Sequence, residues 1–233
     1  MTADLADLRA ALVAAGRRLG ARGLISAGEG NVSVRLADGS LLTTPTGRRK
    51  DELAPEDILR VPLEPGPAGD LGSGHAAPGP LPSTDIAIHR AVYAARPDVL
   101  AVVHAHLPAA MALTLAGEVP DPAALPETAL LLPRLPFVPY GTPGSHELAG
   151  RVAAAFATGD APLPGAVLLE RHGAVAVGAT VEQAVNRLEL VEVLCRTWRD
   201  ALLIRAAVAT DGARAILRPS SPRPGTPARG RTQ

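Results

Sequence analysis

Cysteine is almost absent: Cys195 stands alone among 233 residues. That excludes an intramolecular disulfide and any multi-cysteine metal cluster, and it suits a reducing compartment, so a cytoplasmic location is expected. Aromatic side chains are nearly as scarce, with two phenylalanines, two tyrosines and one tryptophan. Platforms for stacking single-stranded bases are therefore lacking, and the core must be filled by Ala, Leu and Val. Neither sign of charge prevails, since 23 basic residues face 23 acidic ones; no global field attracts nucleic acid or an anionic membrane. No apolar run reaches the roughly 18 residues of a membrane span. The opening MTADLADLRAALVAAGRRLG carries Asp4 and Asp7 and no continuous apolar segment, so a secretory signal is not expected. Internal repeats of about 20 to 50 residues are also missing.

What is present is a 47% hydrophobic chain of a length that one core can serve. Leu5, Leu8, Leu12, Ala15 and Leu19 recur at helical spacing, predicting an amphipathic helix that ends near Gly20 or Gly23. Asp38-Gly39 lies between two β-prone runs, a hairpin signal. Residues 64 to 82 are dense in Gly and Pro and read as an exposed loop. Helical patterning from Ser83 to Ala95 precedes an apolar run, Leu100 to Val103, that stops at His104 and reads as a buried strand. After a Pro-rich crossing near 119 to 136, a helix is expected from Ser145, then two short strands broken at His172-Gly173, then a long helix from Thr180. Thr180 and Gln183 form a capping-box pattern, and Leu188, Val191, Cys195, Trp198 and Leu202 share one face. The expected domain covers residues 1–217, and the Pro- and Arg-rich stretch 218–233 is expected to be a disordered tail.

The chemistry centres on histidine. His104 and His106, one residue apart at a strand end, project to the same side about 6.6 Å apart along the backbone. Two nitrogens so placed can converge on one ion. A catalytic zinc takes three protein ligands and keeps one position open, and His172, where AVLLE stops beside a glycine, is the candidate for the third. Taken alone, the pair also fits two histidines hydrogen-bonded at a strand end, and His172 a turn histidine. Asp85 follows Pro82-Ser83-Thr84 at a helix start, where its carboxylate either caps the first turn or serves as the acid/base beside the ion. His89, one turn on, is either packing or part of that face. Ser83 and Thr84 at a helix terminus suit an anion, as do the turns Gly28-Glu29-Gly30-Asn31 and Thr44-Pro45-Thr46-Gly47, although each also reads as an ordinary turn. His75 and His146 are assigned to the surface.

The ordered set Gly30-Asn31-Val32-Ser33, Thr44-Pro45-Thr46-Gly47, Pro55-Glu56-Asp57, Pro82-Ser83-Thr84-Asp85, His104-Ala105-His106, Pro139-Tyr140-Gly141-Thr142-Pro143-Gly144 and Arg171-His172-Gly173 resembles the class II aldolase and adducin family over about residues 5 to 205. The resemblance implies a three-layer α/β/α sandwich with a central, mainly antiparallel sheet, assembled as a homotetramer. It implies that His104, His106 and His172 bind Zn2+ or another divalent ion such as Mn2+ or Co2+. Asp85 is the implied acid/base, and Asn31, Thr46, Gly47, Ser83 and Thr84 are the implied contacts to a small substrate, phosphorylated in such enzymes.

The implied reaction is a retro-aldol cleavage of a small sugar phosphate or related hydroxy-ketone through a metal-stabilised enediolate. The same scaffold would also serve a 4-epimerase, a decarboxylase or a dehydratase, or a non-catalytic binding module like the head of adducin. The chain departs from the fuculose-phosphate aldolases in three places. Asp85 stands for their glutamate and is shorter by one methylene. Glu29 stands where they carry a small residue, and its carboxylate would repel a dianion unless it points away. Their tyrosine that protonates the leaving aldehyde has no counterpart near Leu125-Pro126-Glu127-Thr128, where Glu127 is the substitute on offer.

Overall fold

The structure is a computed structural model that describes residues 4–64, 79–157 and 162–216. Most of the Gly/Pro-rich loop, His75 and the tail expected from residue 218 lie outside the described residues. Among the described residues, those up to Trp198 form one compact unit, and those from Arg199 to Ile216 belong to a second.

The first unit is a seven-stranded sheet between two helical layers. Its strands are β1 (Asn31–Arg35), β2 (Leu41–Thr43), β3 (Leu59–Val61), β4 (Ala101–Ala105), β5 (Phe137–Val138), β6 (Ala166–Leu169) and β7 (Gly173–Gly178). Their order is β3-β2-β1-β4-β7-β6-β5. Every pairing is antiparallel except β5 with β6, in agreement with the expected α/β/α sandwich.

Side-chain alternation sorts the sheet into two faces. Leu41, Val102, Val138, Val167, Leu169, Val175 and Val177 point to one face and pack with α2 (Ile86–Ala95) and α5 (His146–Ala157), through Ile88, Val92, Val152 and Phe156. Val32, Val34, Leu42, Val103, Ala174 and Ala176 occupy the other and are also buried. That face meets α1 (Leu5–Ala21) and α3 (Pro108–Leu115), beside the first half of α6 (Val181–Ile216), which is tied to α1 by an Arg18–Glu189 ion pair of 2.7 Å. Burying each such Val or Leu contributes about 1.5–3 kcal/mol, so alternation alone holds the layers in register.

The predicted local signals are present. Helix α1 ends at Arg22, with Leu24 N–H reaching back to Leu19 O at 3.0 Å and Gly23 at φ +64°, the left-handed exit that glycine favours. The β1–β2 hairpin turns at Asp38-Gly39, where Gly39 has φ +82° and Asp38 accepts from Ser40 N–H at 2.9 Å. Thr180 Oγ1 accepts Gln183 N–H at 3.1 Å while Gln183 Oε1 accepts Ala179 N–H at 2.8 Å, a reciprocal cap for α6. Leu188, Val191 and Cys195 are fully buried. In the second unit α6 continues, with Leu203, Ile204 and Val208 exposed.

Four elements differ from the sequence reading. Helix α2 starts at Ile86 rather than Ser83, because Ser83-Thr84-Asp85 form a turn closed by Ile86 N–H to Ser83 O at 3.0 Å. The Pro-rich crossing contains α4 (Pro126–Leu131), begun by a proline at a position where its missing N–H costs nothing. Strands β3 and β5, three and two residues long, add the two sheet edges.

Candidate metal centre

Strand β4 carries His104 fully buried and delivers His106, half-buried, two residues on. Both project to the face covered by α2, as the period of two requires. The cross-strand partner of His104 on one side is Asn31 and on the other Val175. His172 lies in the turn between β6 and β7, closed by His172 N–H to Leu169 O at 3.2 Å. Two residues make that turn possible. Arg171 takes φ +58°, the left-handed region, with its N–H held by Thr114 Oγ1 at 3.0 Å and its guanidinium 4.4 Å from the Tyr140 ring centroid. Gly173 takes φ +93°, and a Cβ there would lie 2.1 Å from Ala105 O. Only glycine lets the His172 turn pass so close to the His104-Ala105-His106 backbone.

Asp85 comes from the opposite layer. Its carboxylate does not cap α2, contrary to the simpler sequence reading; instead Oδ1 accepts Gly144 N–H at 3.0 Å. That turns Oδ2 toward the histidines, 3.7 Å from Nε2 of His104 and 3.7 Å from Nε2 of His172. The three imidazoles stand edge to face with centroids 4.7 to 5.0 Å apart. One ligand atom from each of Asp85, His104, His106 and His172 lies within 4.8 Å of all the others.

This donor set fits a divalent ion. Two ligand atoms bound tetrahedrally at about 2.0–2.1 Å sit roughly 3.4 Å apart, close to the observed 3.7 Å. His104 Nδ1 faces Ala174 O at 3.0 Å, so it carries the proton and leaves the Nε2 lone pair free; that Nε2 is buried without a hydrogen-bond partner. Such an anchor on the second nitrogen is what a metal-binding imidazole uses to fix its tautomer. Burial lowers the pKa of His104 well below its usual value, with His172 and His106 adding to the effect. Burial also lowers those of His106 and His172, against the pull of Asp85. The three rings are held neutral, the state that donates to a cation.

Of the other predicted residues, Asn31, Ser83 and Thr84 adjoin this cluster. Asn31 is buried and donates through Nδ2 to Ser83 Oγ at 3.0 Å, and Ser83 Oγ also accepts Asp85 N–H at 3.3 Å. Thr46 N–H donates to Leu81 O at 2.8 Å, and Pro45 bridges Pro82. A Cβ on Gly144 would lie 3.1 Å from that of Thr84. Gly47 has φ +67° and lies, with Thr46, on the surface. Glu29 points away from Asn31: its Oε1 accepts both the N–H and the hydroxyl of Ser26, at 2.5 and 2.8 Å. Burial pushes its carboxyl up, but these hydrogen bonds outweigh that and hold it below the usual range.

His89 is fully buried, with Nδ1 2.6 Å from Ser33 Oγ, which in turn lies 2.9 Å from the Tyr93 hydroxyl. It is outside the four-residue cluster, as are exposed His146 and exposed Glu127 in the first turn of α4. Two contributors escape the sequence reading because both are backbone groups, the Gly144 N–H and the Ala174 carbonyl.

A family model described as Class II Aldolase and Adducin N-terminal domain matches residues 10–199. The chain is 36% identical to the 3,4-dihydroxyphthalate decarboxylase of Arthrobacter keyseri, over 81% of this chain and 76% of that one. It is 35% identical to an L-fuculose phosphate aldolase of Escherichia coli, over 78% of each. The crystal structure of L-fuculose-1-phosphate aldolase from Thermus thermophilus superposes with a TM-score of 0.70 at 32% identity, covering 86% of this chain and 96% of that one. The antiparallel sandwich, the His/Asp cluster able to coordinate a divalent ion and these similarities agree: the chain belongs to the class II aldolase and adducin family.

Proposed function

We propose that the protein is a divalent-metal lyase that breaks a carbon–carbon bond next to a carbonyl by a retro-aldol reaction, acting on a small sugar phosphate or related hydroxy-ketone. The observation that carries this reading is the convergence of Asp85, His104, His106 and His172 on one point, with ligand atoms within 4.8 Å of one another. His104, His106 and His172 are the ligands, and Zn2+, Mn2+ or Co2+ the ion, nitrogen-rich sites taking several divalent metals according to supply. Bound there, the ion supplies electrophilic stabilisation to the negative charge that develops on a substrate's adjacent oxygens.

The remaining work falls to the protein. Asp85, with one oxygen fixed by Gly144 N–H, has the other free to take the proton of the substrate hydroxyl. That hydroxyl becomes the aldehyde as the carbon–carbon bond breaks, and the bonding electrons pass to the carbon beside the carbonyl. Protonation of that carbon completes the ketone product. Asn31, Thr46, Gly47, Ser83 and Thr84 bind the anionic end of the substrate, a role supported by the Asn31–Ser83 hydrogen bond, by the Thr46 contact to Leu81 just ahead of Ser83 and by Glu29 turning to Ser26.

Decarboxylation is the second reading. It is favoured by the 36% identical decarboxylase and by the lack of a tyrosine near Leu125-Pro126-Glu127-Thr128. Loss of CO2 requires the same stabilised electron pair but no deprotonation of a hydroxyl.

The test begins with metal content per chain, in the protein and in a His104→Ala variant, followed by chelation and reloading with each ion. About one ion per chain, lost in the variant, with cleavage restored on reloading, is the expected result. Release of an aldehyde from a ketose phosphate marks the aldolase, and release of CO2 from a β-keto acid the decarboxylase. Failure to take up any ion would overturn both. Sedimentation at working concentration tests the homotetramer.

A further inference from the structure

Lys50 is 1% exposed, an unusual position for an ammonium. It opens a 3-10 turn, Lys50–Glu52, that packs against α1 so closely that a Cβ on Gly16 would lie 2.1 Å from Lys50 O. Its side chain runs beneath two turns and donates to Gly28 O and to Arg48 O, each at 2.7 Å. Those turns touch: a Cβ on Gly28 would lie 3.5 Å from the carbonyl carbon of Gly47. One leads into Asn31, and the other carries Thr46 and Gly47.

Among the described residues the ammonium forms no direct ion pair, although the Glu29 carboxylate on the facing turn attracts it. Among the described residues the neighbouring carboxylates are engaged elsewhere, Glu29 by Ser26, Asp51 by Arg49 at 2.6 Å and Asp57 by Arg48. Burying an unpaired cation is costly, and an apolar side chain of similar length would fill the space without that cost. A fixed positive charge therefore stands directly behind two glycine-bearing turns. We propose that Lys50 is a positioning and specificity residue, its ammonium clamping the 28–31 and 46–48 turns together and supplying the charge that lets the pair bind a phosphate group. This rests on the reading of those turns as the anion-binding part of the site.

The test is titration calorimetry of inorganic phosphate into the zinc-loaded full chain, its Lys50→Met and Lys50→Arg variants, and His104→Ala. Lys50→Met should keep its metal and its cooperative unfolding but bind phosphate at least about tenfold more weakly, in the range of a lost charge-assisted contact. Lys50→Arg should recover most of the affinity, which a purely space-filling role would not predict. A pH series supplies a measurement that needs no variant to fold. Burial lowers the Lys50 pKa to about 8, with Glu29 opposing, so wild-type affinity should fall as pH rises from about 7 to 9 and the charge is lost. The charged groups around it are Glu29 on the facing turn and Arg48, Arg49, Asp51 and Glu52 on its own segment, while α1 presents Gly16 and Gly20.

Unchanged affinity in Lys50→Met, or a flat wild-type pH series, overturns the proposal and leaves the metal-lyase reading standing. Phosphate binding that disappears in His104→Ala places the anion on the metal and also overturns it. If the wild type binds no phosphate, the anion-binding reading of the turns fails with it. Metal content, measured on the same sample, decides the lyase reading separately.

Discussion

Gly144 N–H and the Nε2 atoms of His104 and His172 share a single carboxylate: Asp85 gives one oxygen to the backbone at 3.0 Å and holds the other 3.7 Å from each imidazole. The loop after β5 therefore aims the one acidic group of the centre. Replacing Asp85 with Asn keeps the acceptor for Gly144 but removes the charge and, on the proposed mechanism, the base. Turnover should fall by about 10²–10⁴, and metal affinity should drop as well. Steady-state kinetics beside a chelator-competition titration checks both.

Gly173→Ala should damage the centre without touching a ligand. The new Cβ would meet Ala105 O at 2.1 Å and His106 Cα at 2.8 Å on a backbone at φ +93°, so the His172 turn must move away from β4. A loss of stability of about 2 kcal/mol or more is expected from strain and lost packing, with metal content falling in proportion. Urea unfolding and metal analysis on the same preparation measure the two effects.

His89 sets an acid limit. Burial pushes its pKa down from 6.5 to about 3, whereas in the unfolded chain it titrates normally. Between about pH 6.5 and 3 the unfolded state binds the extra proton, so its contribution is fully present above that window and is lost as pH falls through it. Urea unfolding of the chelated protein should show stability declining from pH 7 to 4, and His89→Gln should lessen that decline, the remainder belonging to His104, His106 and His172, whose pKa values burial also lowers.

Glu192 is 2% exposed and accepts Ala109 N–H through both oxygens at 3.2 Å, while Arg196 pairs with it at 2.8 Å. It fixes α3 immediately after the His106 segment. Glu192→Ala leaves that N–H unsatisfied and should cost about 1–3 kcal/mol, measured by the shift in urea midpoint at constant slope.

The parts legible in the sequence rest on periodicity and turn chemistry. The two-residue period puts His104 and His106 on one side, Asp38-Gly39 marks the hairpin, and Gly173 marks the turn at His172. What is illegible depends on distant backbone. The Gly144 N–H that orients Asp85 lies 59 residues away, and the Ala174 carbonyl facing His104 lies 70 away; neither has a side-chain signature. Lys50 sits in Arg48-Arg49-Lys50-Asp51-Glu52, a run that reads as solvated surface, and only the close approach of α1 makes one of its members buried. Strands β3 and β5 are too short to show alternation, and α4 is hidden because Pro126 reads as a breaker when it is in fact a first-turn residue.

The pairing of His104 with Val175 across β4 and β7 has a consequence for quality control during folding. Sliding β4 by one residue against its neighbours would send His104, and with it the His106 that follows the strand, to the α1 and α3 side and leave Asp85 facing alanine and valine. A mispaired chain could still bury much of its apolar surface, but it could not assemble the four-donor cluster. If the cluster takes up an ion as proposed, that uptake would favour the one alignment in which β4, β7 and α2 meet.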